Sequence, residues 1–262
     1  MALVESHAAD LAEALGTLFS SGDDRVRWFR GQGCHHRPLR PSLIRRLTPY
    51  TTRELLDMEN RLITRFRQRS LPYWPEGYPQ NDWEQLFAMQ HFGVPTRLLD
   101  WSENAVMAAF FAADHDVGRC ECDGHDCCPT LWVLDPNELN HRNSRLDGYQ
   151  PAILATSDSA IDQWSPGTAE NHFAPWPVAI FGTHNSPRIV AQQGTFTVSG
   201  KEAAALEATP AVTDHNGVLR RIVIRADHAD LMSQLRVLGI TRAAVYRDLG
   251  SLSSDISTEE LG

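Results

Sequence analysis

Apolar positions recur at helical spacing through the first half of the chain. In residues 7–20, Leu11, Leu15 and Leu18 fall at i, i+4 and i+7, predicting an amphipathic helix that stops at Ser21-Gly22-Asp23-Asp24. Residues 51–69 predict a long helix, with Leu55, Met58, Leu62 and Phe66 on one stripe and Arg61, Arg65, Arg67 and Arg69 mainly on the other. Asn81-Asp82-Trp83-Glu84 has the form of a capping signal and opens a helix carrying Trp83, Leu86, Phe87 and Phe92. Residues 103–114 are apolar nearly all round, the pattern of a buried helix. Alternation and short apolar runs predict strands around Val26 to Arg30 and over residues 131–134, 177–181, 188–198, 220–225 and 243–246. Asp135-Pro136 opens a short helix, and residues 227–238 form another, closed by Gly239. Residues 142–176 are polar and weakly patterned, predicting a long excursion with short helical pieces. These elements predict one α+β domain with helices mainly N-terminal and strands mainly C-terminal. An N-terminal helix occupies residues 1–24, the main body 25–252, and a polar, frayed tail 253–262.

Composition narrows the class. The 262 residues are 42% hydrophobic and 22% charged, as in soluble globular proteins. No run approaches the roughly 18 apolar residues of a membrane span. The first ten residues contain Glu5 and Asp10 and no basic segment, so no secretory signal is read there and a cytoplasmic location is expected. The formal charge of −9 argues against a generic phosphate-backbone binder, and no paired Asp/Glu metal motif supports a nuclease. An odd count of five cysteines disfavours a disulfide scaffold. Cys120, Cys122, Cys127 and Cys128, with His125 between them, suggest an inserted hairpin around residues 118–129. Its thiols either hold one tetrahedral Zn²⁺ or are oxidised or unliganded.

The densest chemistry lies in residues 90–102, Q-H-F-G-V-P-T-R-L-L-D-W-S. Gly93 and Pro95 predict a turn, Thr96 to Leu99 an extended piece, and Asp100 or Ser102 the cap of the following helix. Arg30, at a strand end before Gly31, is suited to grip a phosphate or carboxylate, or else to pair with a buried acid such as Asp100. Arg97 carries the same two readings, one arginine being expected to face Asp100 and the other a ligand. His91 is a candidate general acid/base or hydroxyl donor, or a satisfied structural residue. Gln192 and Gln193, before Gly194, are either ligand-orienting amides or ordinary strand residues. Asp248 is a candidate carboxylate or a helix cap. Arg30, His91, Thr96, Arg97 and Asp100 are expected to converge on one cleft.

Phe29-Arg30-Gly31-Gln32 together with the 90–102 block resembles the FRG-domain family, named for its Phe-Arg-Gly motif. Residues 187–196, with Gln192-Gln193-Gly194, resemble the family's third block, and residues 238–252 its closing block. The family is typically bacterial and intracellular, often among toxin-like or phage-defence genes. Its block order is similar to that of the ADP-ribosyltransferases, which implies an ADP-ribosyltransferase-like fold and NAD as substrate. On that likeness Arg30 binds NAD with Gly31 and Gln32 beside it. Thr96 and Arg97 flank the ring or phosphates, and Gln192 and Gln193 stand near the catalytic position. A transferase has Glu at the third block, so Asp100 or Asp248 would supply the charge. A protein or nucleic-acid target of modification is the partner implied. The alternative is a non-catalytic sensor module for a nucleotide or a phage component.

Overall fold

The computed structural model describes the chain except for residues 1–2, 21–23, 75–76, 115–126, 150–152, 183–190 and 262. Its centre is a seven-stranded mixed sheet. The strands are β1 (Val4–Ala8), β2 (Trp28–Gln32), β3 (Leu98–Ser102), β4 (Thr130–Leu134), β5 (Val178–Ile180), β6 (Gly194–Val198) and β7 (Leu219–Ile224). They lie in the order β1-β7-β4-β2-β3-β6-β5. The β1/β7 pair is parallel and the other neighbours are antiparallel.

The helices take most of the predicted places. They are α1 (Leu11–Phe19), α2 (Ser42–Leu47), α3 (Thr52–Ser70), α4 (Asp82–His91), α5 (Ala105–Ala113) and α6 (Pro136–His141). After β6 come α7 (Pro210–Thr213), α8 (His228–Val237), α9 (Arg242–Tyr246) and α10 (Leu249–Leu261). Helix α3 starts at a capping box in which Thr51 and Glu54 each bond the other's backbone N–H. Thr51→Ala is expected to cost about 1 kcal/mol of stability, read by urea denaturation. Helix α4 is capped by Asn81, which accepts from the Glu84 N–H at 2.9 Å. The 142–176 excursion contains the predicted short helical pieces, 3₁₀ turns at Ser144–Leu146 and Ser159–Trp164.

Several expectations change. Residues 4–8 are an edge strand against β7, not helix, and α1 begins only where Asp10 caps it by accepting from the Glu13 N–H. Residues 242–246 are helical because Thr241 caps them and Ala243-Ala244 favour a helix over the predicted strand. The expected frayed tail is part of α10. Helices and strands interleave along the chain rather than separating into halves. No helix among the described residues is long and apolar enough to cross a membrane.

Apolar packing covers both faces of the sheet. Helix α5 lies on β2 in a cluster with Leu131, Val133, Ile222 and Ile224, while Trp28, Trp101, Trp132 and Leu134 share another cluster. The first of these contacts is close because Gly31 has no side chain. A Cβ there would sit 1.8 Å from the Ala108 carbonyl oxygen and 2.6 Å from the Ala112 nitrogen.

Candidate functional site

The sheet opens between β2 and β3. Strand β2 pairs with β4 along all five residues, and β3 pairs with β6 along all five. Between themselves β2 and β3 share one pair, Phe29 with Ser102. Beyond it the strands part, so main-chain groups of β3 need other partners. Arg30 supplies one: its Nη1 donates to the Asp100 carbonyl oxygen at 2.7 Å, bridging the split. The same Nη1 is 3.8 Å from the Asp100 carboxylate.

A cleft of about 280 Å³ occupies this opening. Phe29, Phe87, Trp101, Phe111 and Phe196 line it with aromatic surface, and Arg30, Gln90, His91, Asp100, Ser102 and Gln192 with polar groups. Three of the five residues expected to converge therefore do so. His91 lies at the end of α4, its ring 4.7 Å from that of Phe92 in an edge-to-face arrangement.

A relay of side chains holds the acid. Gln90 Nε2 donates to Asp100 Oδ2 at 2.6 Å, and Gln90 Oε1 accepts from the Thr96 hydroxyl. The Thr96 hydroxyl in turn accepts from the Leu98 N–H at 3.1 Å. Thr96 is buried and acts behind the cleft, through Gln90. Burial pushes the Arg30 pKa below its ordinary value; Asp100 opposes that shift and Arg45 adds to it. The guanidinium stays charged but is poorly hydrated, and its buried Nε has no partner among the described residues. An incoming anion gains more from such a cation than from one in open water.

Of the third block, Gln192 reaches the rim, and it and Gln193 precede the strand instead of lying in it. Gln192 is in a helical turn and Gln193 follows at φ 48°, before β6 begins at Gly194. The Ser102 hydroxyl donates to the Gln192 carbonyl at 2.6 Å, and the Glu103 N–H to that of Gln193 at 3.1 Å. Gln192 lines the cleft and its Nε2 donates to the Val245 carbonyl; Gln193 is exposed and does not line it.

Other expected positions lie elsewhere. Arg97 is fully buried on Glu59, its Nε donating to Oε1 at 2.7 Å. Its remaining nitrogens donate to the carbonyls of Ser199 and Trp164. Of the two readings of Arg97, pairing with a buried acid is the one the structure shows, but the acid is Glu59 of α3 and not Asp100. Asp100 and Ser102 belong to β3; Asn104 caps α5 instead, accepting from Val106 and Met107 N–H groups. Gln32 accepts from the Trp132 indole at 2.7 Å and lies outside the cleft lining. Asp248 caps α10, accepting from the Ser251 N–H at 2.7 Å. Cys120, Cys122 and His125 of the proposed zinc hairpin lie outside the described residues. Cys127 Sγ donates to the Gly33 carbonyl, and the Cys128 N–H to His35 Nδ1. Among the described residues no group of three His, Cys, Asp or Glu is placed to hold a metal ion.

Gln90 is the site residue that sequence reasoning passed over, although it opens the motif. Phe87, Gln90 and His91 stand at i, i+3 and i+4 on α4, so one face delivers all three to the cleft.

No curated protein and no solved structure matches the chain. Residues 25–118 match the family model of the FRG domain. Both motifs lie inside that match and meet at one cleft, so residues 25–118 are similar to the FRG domain in the stretch that builds the site.

Proposed function

We propose that the β2/β3 cleft binds a nucleotide of the NAD or ADP-ribose kind. The observation that carries this reading is Arg30, a half-buried cation whose buried Nε has no partner among the described residues, standing 3.8 Å from a carboxylate in an aromatic-walled opening. A guanidinium fork suits phosphate, and the rings of Phe29 and Phe111 suit a flat heterocycle. At about 280 Å³ the cleft is at the low end of ligand pockets, roughly 300–1,000 Å³. It would enclose one nucleoside end of a dinucleotide and leave the rest along the rim.

With NAD bound, the chemistry would be substitution at the anomeric carbon. The bond from that carbon to nicotinamide breaks, and nicotinamide leaves with the bonding pair. Water or an acceptor group adds to the carbon and loses a proton. Among the described residues Asp100 is the one carboxylate lining the cleft, and Gln90 fixes it; it would face the positive charge that develops on the ribose. His91 is the candidate to take the proton. Such an activity would suit a toxin or phage-defence effector, either consuming NAD or modifying a protein or nucleic acid. The sensor reading is favoured by one observation: Asp100 is already engaged by Gln90 and its carbonyl by Arg30, an arrangement that can hold a ligand without turnover.

Incubation with labelled NAD, alone and with cell extract, separates the two. The enzyme reading predicts nicotinamide release that falls on the order of 10²-fold in Asp100→Asn. Saturable NAD binding with no release, extract present, would retain the pocket and reject the enzyme.

A further inference from the structure

A second concavity lies beside the first. It holds about 500 Å³ between the C-terminal half of α3, the turn that follows it and the α4–β3 turn. Leu62, Phe66, Trp74, Phe92 and Val94 make it apolar, and Phe92 is 62% exposed, an unusual position for a phenylalanine with no role at the surface. Its polar groups are few: two guanidinium groups, an indole N–H and the hydroxyls of Ser70 and Tyr73. Arg65 and Arg69, one helical turn apart on α3, line it with two positive charges. The Ser70 hydroxyl and the Trp74 indole nitrogen are buried there with no partner among the described residues. Guanidinium and indole N–H groups only donate, and a serine hydroxyl can donate. Among the described residues no carboxylate lines the groove. Buried donors without acceptors are costly, so an occupant that brings an acceptor to them is favoured over a purely apolar one.

We propose that this groove is a second ligand site, for a small amphiphile with an apolar chain and a carboxylate head. The chain would lie against Phe66, Phe92 and Val94. The head would take hydrogen bonds from Ser70 and Trp74 and the charge of Arg65 and Arg69. The site is connected to the first: Phe92 lines the groove, and the edge-to-face ring of His91 lines the cleft. This inference does not depend on which ligand the cleft takes.

The test is calorimetric titration of the full chain with decanoate, decanol and decyltrimethylammonium, each below its micelle concentration. Decanoate is expected to bind saturably at one site, decanol about tenfold more weakly and the ammonium most weakly, since two rim charges supply the difference. Arg65→Ala with Arg69→Ala should abolish the advantage of carboxylate over alcohol. Phe92→Ser, at an exposed position that the fold tolerates, should weaken all three. Decanoate should also move the His91 ring resonances. The proposal is overturned if the cationic amphiphile matches decanoate, or if the carboxylate advantage survives loss of both arginines. It is equally overturned if no amphiphile saturates and the chain instead self-associates through Phe92.

Discussion

Replacing Arg97 by methionine is expected to cost about 3–5 kcal/mol of folding stability, the penalty for leaving a buried charge without its partner. Glu59 is 1% exposed, and its Oε2 has no partner among the described residues, so removing the guanidinium strands the whole carboxylate in the core. The carbonyls of Ser199 and Trp164 lose their donors as well. Because the pair is buried, added salt should change the result little. The double variant Arg97→Met with Glu59→Leu should recover part of the loss, since apolar replacement of both partners removes the stranded charge. Urea denaturation of the three proteins measures this. A loss below about 1 kcal/mol in the single variant would mean that the pair is not the anchor described here.

Gly31→Ala is expected to be comparably severe. The added carbon would meet backbone atoms of α5, Ala108 O at 1.8 Å and Ala112 N at 2.6 Å, which no rotamer change can move aside. Either α5 lifts from β2 or the strand bends, at about 3 kcal/mol or more, the upper range for overpacking. Ala108 and Phe111 of α5 line the cleft, so protein that still folds should lose ligand affinity. Thermal denaturation and a binding titration would check both effects. Unchanged stability would show that α5 does not pack on β2 as closely as described.

Much of this was legible from spacing alone, and the failures have particular physical causes. Helices α3, α4 and α5 and strands β2 and β4 follow directly from their apolar period and caps. Strand β1 is obscured because Glu5 and His7 put charge on an edge strand with little burial. Short α9 contains Val245 and Tyr246, whose β preference points the wrong way when a threonine cap decides the conformation. The inner face of α3 is Leu55, Leu56, Glu59 and Ile63, turned from the stripe of Met58, Leu62 and Phe66. A reading centred on that face would place Glu59 among apolar positions and ask for a buried cation. The partner is 38 residues away, which is why the sequence leaves Arg97 open between a ligand group and a buried ion pair. The meeting of Arg30 with the 90–102 block was expected from chemistry. Its cause, the parting of β2 from β3 after one residue pair, is a property of the sheet and not of either motif.

The account rests on Arg30 as the anion grip of the cleft, and direct titration with ADP-ribose tests that most closely. Wild type should bind, and Arg30→Ala should lose about 2–4 kcal/mol of binding energy, beside the stability lost when the Asp100 carbonyl loses its donor. Arg30→Lys should fall between them, because an ammonium keeps the charge but lacks the fork that spans the Asp100 carbonyl and a ligand oxygen. Equal affinity in all three proteins, or no binding of any adenine or nicotinamide nucleotide at millimolar concentration, would contradict it.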